Sequence, residues 1–232
     1  MMVLEATDLT KTFVGGDGGL LTVLDGVSLQ VERGEMVAIL GASGAGKSTL
    51  LNLLGALDRP TRGSVAIAGA GVDGLGDEAL ARLRNRSVGF VFQFHHLLRE
   101  FSALENVMMP LRIAEWDVPR AERRASELLT RVGLAGRMSH RPAALSGGEQ
   151  QRTAVARALA LDPAVLLADE PSGNLDHANA ERLHDLFEEL SRDLDIAMVI
   201  ATHNRSLAGR ADRVLVLEDG RLMETTVGEA VP

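Results

Sequence analysis

Eight residues early in the chain, Gly41 to Ser48, have the types and spacing of a phosphate-binding loop. They follow the pattern G-x-x-x-x-G-K-[ST], in which the glycines let backbone N–H groups turn toward a phosphate chain. Lys47 adds a point charge for the β- and γ-phosphates, and the Ser48 hydroxyl is placed to ligate Mg²⁺. The loop therefore predicts binding of a nucleoside triphosphate. The residues that we expect to contact it are Gly41, Ala42, Ser43, Gly44, Ala45, Gly46, Lys47, Ser48 and Thr49.

The segments on both sides of this loop have the patterns needed to position it. Residues 36–40 form a short apolar run suited to a buried parallel strand, and residues 49–54 have the composition of a helix. Such a helix points its positive dipole end at the same phosphates. The alternative is a Gly-rich turn that happens to precede a helix, and the register of strand, loop and helix disfavours it.

Two further apolar runs end in polar residues that suit catalysis. The run at 165–168 is followed by Asp169 and Glu170, and the run at 197–201 by Thr202 and His203. Leucines at helical spacing between the runs predict a crossover helix, which makes both runs strands of one parallel sheet. Because ligands bind at the carboxyl ends of such strands, we expect these polar side chains to lie near the phosphate loop.

The rest of the pattern completes an α/β fold class. Alternating stretches in the first 35 residues and at 63–69 predict antiparallel strands, and residues 213–223 predict a terminal hairpin. Residues 104–161 have mostly helical patterns. We therefore expect a nucleotide-binding core with a small antiparallel β subdomain and an inserted α-helical subdomain.

Composition narrows the classes of function. The chain has 232 residues, a net charge of −8 and no cysteine. The acidic balance argues against a nucleic-acid partner, and the lack of cysteine excludes disulfides and thiolate catalysis. The N-terminus lacks the basic and apolar regions of a signal peptide, and the longest apolar runs fall far short of the ~20 residues of a membrane helix. We expect a soluble chain whose membrane role comes through a partner.

The segment Leu145-Ser-Gly-Gly-Glu-Gln150 has two interpretations. Ser146 and Glu149 form an S-x-x-E capping box, which begins many helices that bind nothing. The two glycines also leave backbone N–H groups exposed at a helix N-terminus, so that a phosphate can approach closely and bind there. The presence of the phosphate loop in the same chain favours anion binding.

Together these segments resemble the nucleotide-binding subunit of ATP-binding-cassette (ABC) transporters over nearly the whole chain. The resemblance implies a P-loop NTPase (RecA-like) core at 1–92 and 157–232, with residues 93–156 holding the Q-loop, the helical subdomain and the signature motif. The signature motif would contact the γ-phosphate of ATP bound by a second subunit, in a head-to-tail homodimer. Its implied contact residues are Ser146, Gly147, Gly148 and Gln150.

The same resemblance implies roles for five single residues. Asp169 would hold Mg²⁺ together with Ser48, and Glu170 would accept a proton from the attacking water or orient it. His203 would contact the γ-phosphate, and the amide of Gln93 would reach Mg²⁺ or the water. Phe13 stands where the family usually stacks a Tyr on adenine, and a simple core Phe is the alternative.

The segment from Gln93 to Val107 discriminates among ABC proteins. Its Phe after the glutamine, its double histidine and its Ala-Leu-Glu-Asn run resemble the ATPase of the bacterial lipoprotein-releasing (Lol) system, the LolD family. Arg99 departs from the Pro often found there. The resemblance implies an ATP-hydrolysing subunit at the cytoplasmic face of the inner membrane, paired with integral membrane permease subunits and driving lipoprotein release. An exporter ATPase of the macrolide-efflux type and a non-transporting regulator of the cell-division type are the alternatives.

Overall fold

The computed structural model describes residues 1–16 and 18–225. These residues contain ten strands and seven helices, joined by turns and loops. The strands are β1 (Met2–Val14), β2 (Leu20–Glu32), β3 (Met36–Leu40), β4 (Arg62–Ile67), β5 (Ala70–Gly71), β6 (Val88–Phe92), β7 (Val165–Asp169), β8 (Ala197–Ala201), β9 (Arg213–Glu218) and β10 (Arg221–Thr225). The helices are α1 (Lys47–Leu54), α2 (Asp77–Ser87), α3 (Ala103–Ile113), α4 (Val118–Arg131), α5 (Gly147–Ala158), α6 (His177–Leu194) and α7 (Arg205–Ala208). Short 3₁₀ turns lie at Ala135–Arg137 and Pro142–Ala144.

The central sheet consists of six strands in the order β10-β9-β3-β8-β7-β6. Strands β9, β3, β8, β7 and β6 are parallel, and β10 pairs with β9 in the antiparallel sense. All five residues of β3 and of β8 are buried, as expected for strands covered on both faces. Because these strands are parallel, their carboxyl ends meet at one edge of the sheet. The predicted parallel sheet and terminal hairpin are confirmed.

A second, antiparallel sheet has the order β2-β1-β4-β5 and confirms the predicted β subdomain. Register shifts along β1 mark bulges that bend this long hairpin. Its inner face packs with α1 against one face of the central sheet, in a core that includes Leu4, Leu24, Ile39 and Leu50. This packing brings β2 beside the phosphate loop.

Helices α3 to α6 cover the other face of the central sheet, around a core that includes Val107, Leu129, Val155 and Phe187. Three of them lie within residues 104–161 or begin one residue before, as the helical pattern predicted. The subdomain boundary expected after residue 156 falls inside α5. Within the described residues, no helix is both long enough and apolar enough to cross a membrane.

Candidate active site

The phosphate loop makes a tight turn between β3 and α1. At its two ends, Gly41 and Gly46, the turn has no room for a side chain. A Cβ on Gly41 would lie 2.7 Å from the backbone oxygen of Leu217, which cannot move aside. Gly46, the N-cap of α1, has φ +102°, and a Cβ there would lie 2.9 Å from Cγ1 of Val23. The loop is therefore a preformed cradle whose shape depends on both residues.

The Lys47 ammonium is held at the centre of this cradle. Its Nζ donates to the Gly41 carbonyl at 2.7 Å and to the Ala42 carbonyl at 3.1 Å, and lies 3.7 Å from Oε1 of Glu170. The Lys47 side chain is only 8% exposed. A buried cation that donates only to neutral carbonyls is suited to anionic phosphate oxygens, because they would offer it stronger charge-assisted hydrogen bonds.

Glu170 is fixed at the carboxyl end of β7 by three groups. Its Oε1 lies 2.9 Å from Nδ1 of His203, and its Oε2 accepts hydrogen bonds from Oγ1 of Thr202 at 3.1 Å and from the His203 N–H at 3.3 Å. Glu170 also has φ +45°, a backbone conformation that is uncommon outside glycine and that concentrates at functional sites. Sequence reasoning assigned no role to Thr202, although this residue directly precedes the predicted histidine.

Three oxygen-bearing side chains at this edge have the donor chemistry of a magnesium site. They are the Ser48 hydroxyl, the Asp169 carboxylate and the Gln93 amide, and all three line the same cavity. Mg²⁺ prefers such hard oxygen ligands and retains several waters, so the residues present fit the metal. The pKa of Asp169 is raised above its usual value, mainly because the carboxyl group is buried, and the nearby charge of Glu170 raises it further. A hydrogen bond with Ser48 and the charge of Lys47 act in the opposite direction.

A cavity of about 810 Å³ joins these groups into one site. The predicted residues that line it are Ser43, Gly44, Gly46, Lys47, Ser48, Thr49, Gln93, Asp169, Glu170 and His203. Among the described residues, the cavity has one further lining residue, Val23 of β2, whose apolar side chain carries no chemical signal in the sequence. The convergence of the phosphate loop with the ends of β6, β7 and β8 is what a nucleotide-hydrolysing site requires.

Phe13 lies outside the described lining of this cavity, near the end of β1. Its side chain is 39% exposed, which excludes the alternative of a simple core residue. The Lys11 ammonium lies 5.1 Å from the centre of its ring, within the range of a cation–π contact. The adenine contact stays a prediction.

The predicted capping box at the start of α5 is present. The Ser146 hydroxyl accepts from the Glu149 N–H at 3.3 Å, and Oε2 of Glu149 accepts from the Ser146 N–H at 2.8 Å. The Ser146 N–H, followed by the Arg137 guanidinium, lowers the pKa of Glu149 to about 2. The first of the two interpretations of this segment is therefore confirmed locally, and it leaves the second open.

The signature motif is not part of the cavity that the chain's own phosphate loop lines, as far as the described residues show. Ser146 and Gly147 are exposed, and none of the motif lines the 810 Å³ cavity in the described structure. Gln150 donates its amide N–H to the Leu145 carbonyl at 3.0 Å, which tightens the start of the helix.

Helix α5 also anchors the segment that begins with Gln93. Gln151, only 1% exposed, donates to the Phe92 carbonyl at 3.0 Å. Arg157 donates to the carbonyls of His95 at 2.7 Å and His96 at 2.8 Å. These contacts connect residues some 60 positions apart, so the sequence pattern gave no sign of them. They tie the cavity residue Gln93 to the helix that carries the signature motif.

Asn106, at the end of the Ala-Leu-Glu-Asn run, holds the same segment from the other side. Its fully buried side chain accepts from the Leu98 N–H at 2.8 Å and donates to the carbonyls of Leu98, Phe101 and Ser102 at 2.9–3.1 Å. One side chain thus contacts four backbone groups between Leu98 and Ser102, with an amide N–H shared between two of the carbonyls. This explains the residue type at this position in physical terms.

Replacing Asn106 by Ala is expected to lower the free energy of unfolding by about 3 kcal/mol, because it removes a fully buried side chain together with its hydrogen bonds to four backbone groups. Urea unfolding of the purified chain measures this. Asn85→Ala, which removes a single hydrogen bond to the Pro110 carbonyl, is the control and should cost about 1 kcal/mol. Equal losses in the two variants would contradict the clamp role of Asn106.

An ATP-binding cassette is the class of protein that this fold and this cavity define. A family model described as ABC transporter matches residues 24–173. The lipoprotein-releasing system ATP-binding protein LolD of Pseudomonas syringae pv. tomato is 53% identical over 96% of this chain and 97% of its own length. LolD of Geobacter metallireducens is 54% identical over 95% of this chain and 98% of its own.

Solved structures give the same result. A dimeric ATP-binding cassette in a post-hydrolysis state, bound to ADP and Pi, is 37% identical with a TM-score of 0.88, over 97% of this chain and 98% of that one. The chain therefore belongs to the ABC transporter family, in the group of lipoprotein-releasing system ATP-binding proteins. It is an ATPase, and the family membership that its motifs predicted is confirmed.

Proposed function

We propose that the chain supplies the ATP hydrolysis that drives release of lipoproteins from the bacterial inner membrane. The observation that carries this proposal is the identity of 53% to a lipoprotein-releasing system ATP-binding protein over 96% of the chain. The macrolide-efflux and cell-division alternatives share the ATP motifs, but the relatives described above favour lipoprotein release.

In the hydrolytic step, Glu170 acts as the general base. Its carboxylate is held at the cavity by Thr202 and His203, so that it accepts the proton of a water attacking the γ-phosphate. Lys47 stabilises the phosphate oxygens, and His203 contacts the γ-phosphate from the end of β8. Charge stabilisation and positioning, rather than covalent chemistry, supply the rate in this class of reaction.

Mg²⁺ is the metal that we propose for this site. Ser48, Asp169 and Gln93 would hold it, directly or through water. When bound, it would offset the negative charge of the phosphate oxygens. The raised pKa of Asp169 reflects burial near another carboxylate, a cost that a nearby divalent cation would offset.

Two copies of the chain would form the hydrolysing unit. The signature residues Ser146 and Gly147 are exposed and lie outside the chain's own cavity, so a head-to-tail partner would place them on its nucleotide. Two solved ATP-binding cassettes that are 37% identical to the chain were themselves determined as dimers. Closure of such a dimer on ATP completes each site with groups from both copies.

The segment from Phe94 to Phe101 is the proposed contact with integral membrane permease subunits. Phe94 is 65% exposed, Leu98 42% and Phe101 38%. Phe94 lines a cavity of about 550 Å³, together with His95 and Arg99. Clustered apolar side chains that water surrounds are typical of a docking surface. This contact would place the chain at the cytoplasmic face of the inner membrane.

Replacing Phe94 by Asp is expected to reduce recovery of the permease subunits at least about tenfold, because it places a charge in an apolar contact. The measurement is a pull-down of the tagged chain from its own membranes with ATP·Mg²⁺, with co-purifying chains identified by mass spectrometry. Multi-span subunits carrying lipoprotein are the expected partners.

The control is Met223→Asp, since Met223 is 49% exposed on β10, at the opposite edge of the central sheet from β6. It should recover the subunits as the wild type does. Recovery of an unrelated permease or of a division complex would overturn the lipoprotein function. Equal recovery by both variants would remove the docking role of Phe94.

A further inference from the structure

The cavity residue Gln93 is paired with Asn174, which lies in the turn after the catalytic carboxylate. Nε2 of Gln93 donates to Oδ1 of Asn174 at 3.1 Å, and Nδ2 of Asn174 donates to the Gln93 carbonyl at 3.2 Å. The two residues are 81 positions apart. Asn174 thus holds both the backbone and the side chain of Gln93.

The turn from Glu170 to Asn174 leaves little freedom in this pairing. The Gly173 N–H donates to the Glu170 carbonyl at 3.0 Å, and a Cβ on Gly173 would lie 3.1 Å from Nε2 of Gln93. The glycine therefore lets the chain pass directly beneath the Gln93 amide. One tight turn therefore connects Glu170 to Asn174, the partner of Gln93.

The pairing also decides which amide atom Gln93 offers to the cavity. Oδ1 of Asn174 accepts a hydrogen bond from the amide N–H₂ of Gln93, so the amide oxygen of Gln93 is the atom left to face the cavity as an acceptor. An oxygen is the atom that a Mg²⁺ ion or the hydrogen of a water molecule needs. With Asn174 absent, the amide would be free to rotate and present either end.

We propose that Asn174 is a positioning residue for hydrolysis, acting through Gln93. It orients the Gln93 amide and links the segment at 93–101 to the turn that carries Glu170. This inference rests on the proposed role of Gln93 at the metal or the water. Movement of the 93–101 segment by a bound membrane subunit would then reach the base through a pair of hydrogen bonds.

The test is a double-mutant cycle between Asn174→Ala and Gln93→Ala in the full-length chain, with ATPase rates measured against ATP and against Mg²⁺. Asn174 is exposed, so its truncation removes no core packing. Asn174→Ala should lower kcat about tenfold and raise the half-saturating Mg²⁺ concentration severalfold, with KM for ATP changed less than about twofold. In the Gln93→Ala background the same substitution should lower kcat less than about twofold.

Each outcome decides a separate claim. Suppose that Gln93→Ala lowers kcat and that the fold losses of the two single variants multiply in the double variant. Asn174 then acts independently of Gln93, and the inference fails while the proposed site stands. If Gln93→Ala changes neither kcat nor the Mg²⁺ dependence, both the role of Gln93 and the inference fail. Asn85→Ala, the control, removes an asparagine hydrogen bond to the Pro110 carbonyl and should keep both quantities within about twofold of wild type.

Discussion

Replacing Glu170 by Gln is expected to lower the ATPase rate at least about a hundredfold while ATP binding persists. The amide is close in shape and keeps an oxygen for the Thr202 and His203 hydrogen bonds, but it cannot take a proton from water. General-base catalysis contributes about 10²–10⁴ in rate, which sets the size of the loss. Because hydrolysis no longer opens the pair of cassettes, ATP·Mg²⁺ should also double the mass of the variant in size-exclusion chromatography.

Glu35→Gln is a matched control for this experiment. The Glu35 side chain is 16% exposed, as is that of Glu170, and it also makes a hydrogen bond and an ion pair, with the Glu32 N–H and Arg213. It lies at the opposite end of β3 from the phosphate loop. This variant should hydrolyse ATP at close to the wild-type rate. A Glu170→Gln variant with wild-type turnover would remove Glu170 from the role of base.

Replacing Lys47 by Ala is expected to weaken ATP binding at least about a hundredfold. The buried ammonium would be lost, and the Gly41 and Ala42 carbonyls that now accept from it would face the phosphates without a donor between them. Charge-assisted hydrogen bonds to phosphate are each worth roughly 1.5–3 kcal/mol, and about 2.7 kcal/mol corresponds to a hundredfold change in Kd. Titration calorimetry with ATP·Mg²⁺ measures the affinity.

Thermal unfolding of the same Lys47→Ala sample, compared with wild type without nucleotide, shows whether the cradle still folds. The melting temperature of the wild type should rise on adding ATP·Mg²⁺, because a ligand that binds only the folded state stabilises it. The variant should show almost no rise. A wild-type affinity in the folded variant would mean that the phosphates bind elsewhere.

The sequence predicted the parts of this site that depend on local pattern. The phosphate loop is one continuous segment, and the continuous apolar runs before Asp169 and before Thr202 and His203 are typical of buried parallel strands. Once the strands are parallel, topology alone brings their carboxyl ends together. The capping box at Ser146 and Glu149 is equally local. For these residues, knowledge of neighbours a few positions away was sufficient.

Other contacts depend on tertiary packing and left no local signal. Val23 reaches the cavity because a separate sheet packs beside the phosphate loop. Gln151 and Asn174 contact the Gln93 region from positions 59 and 81 residues away. A lone polar residue in a loop or on a helix is more often solvated than paired, so its partner emerges only from the three-dimensional arrangement.

In the proposed function, hydrolysis at Glu170 drives lipoprotein release. The most direct measurement is ATP-dependent release of lipoprotein from vesicles that contain the permease subunits together with either the wild-type chain or Glu170→Gln. We expect release with the wild type and ATP·Mg²⁺, and none above background with the variant. Equal release with both chains, or no release by a wild-type complex that hydrolyses ATP, would contradict the claim.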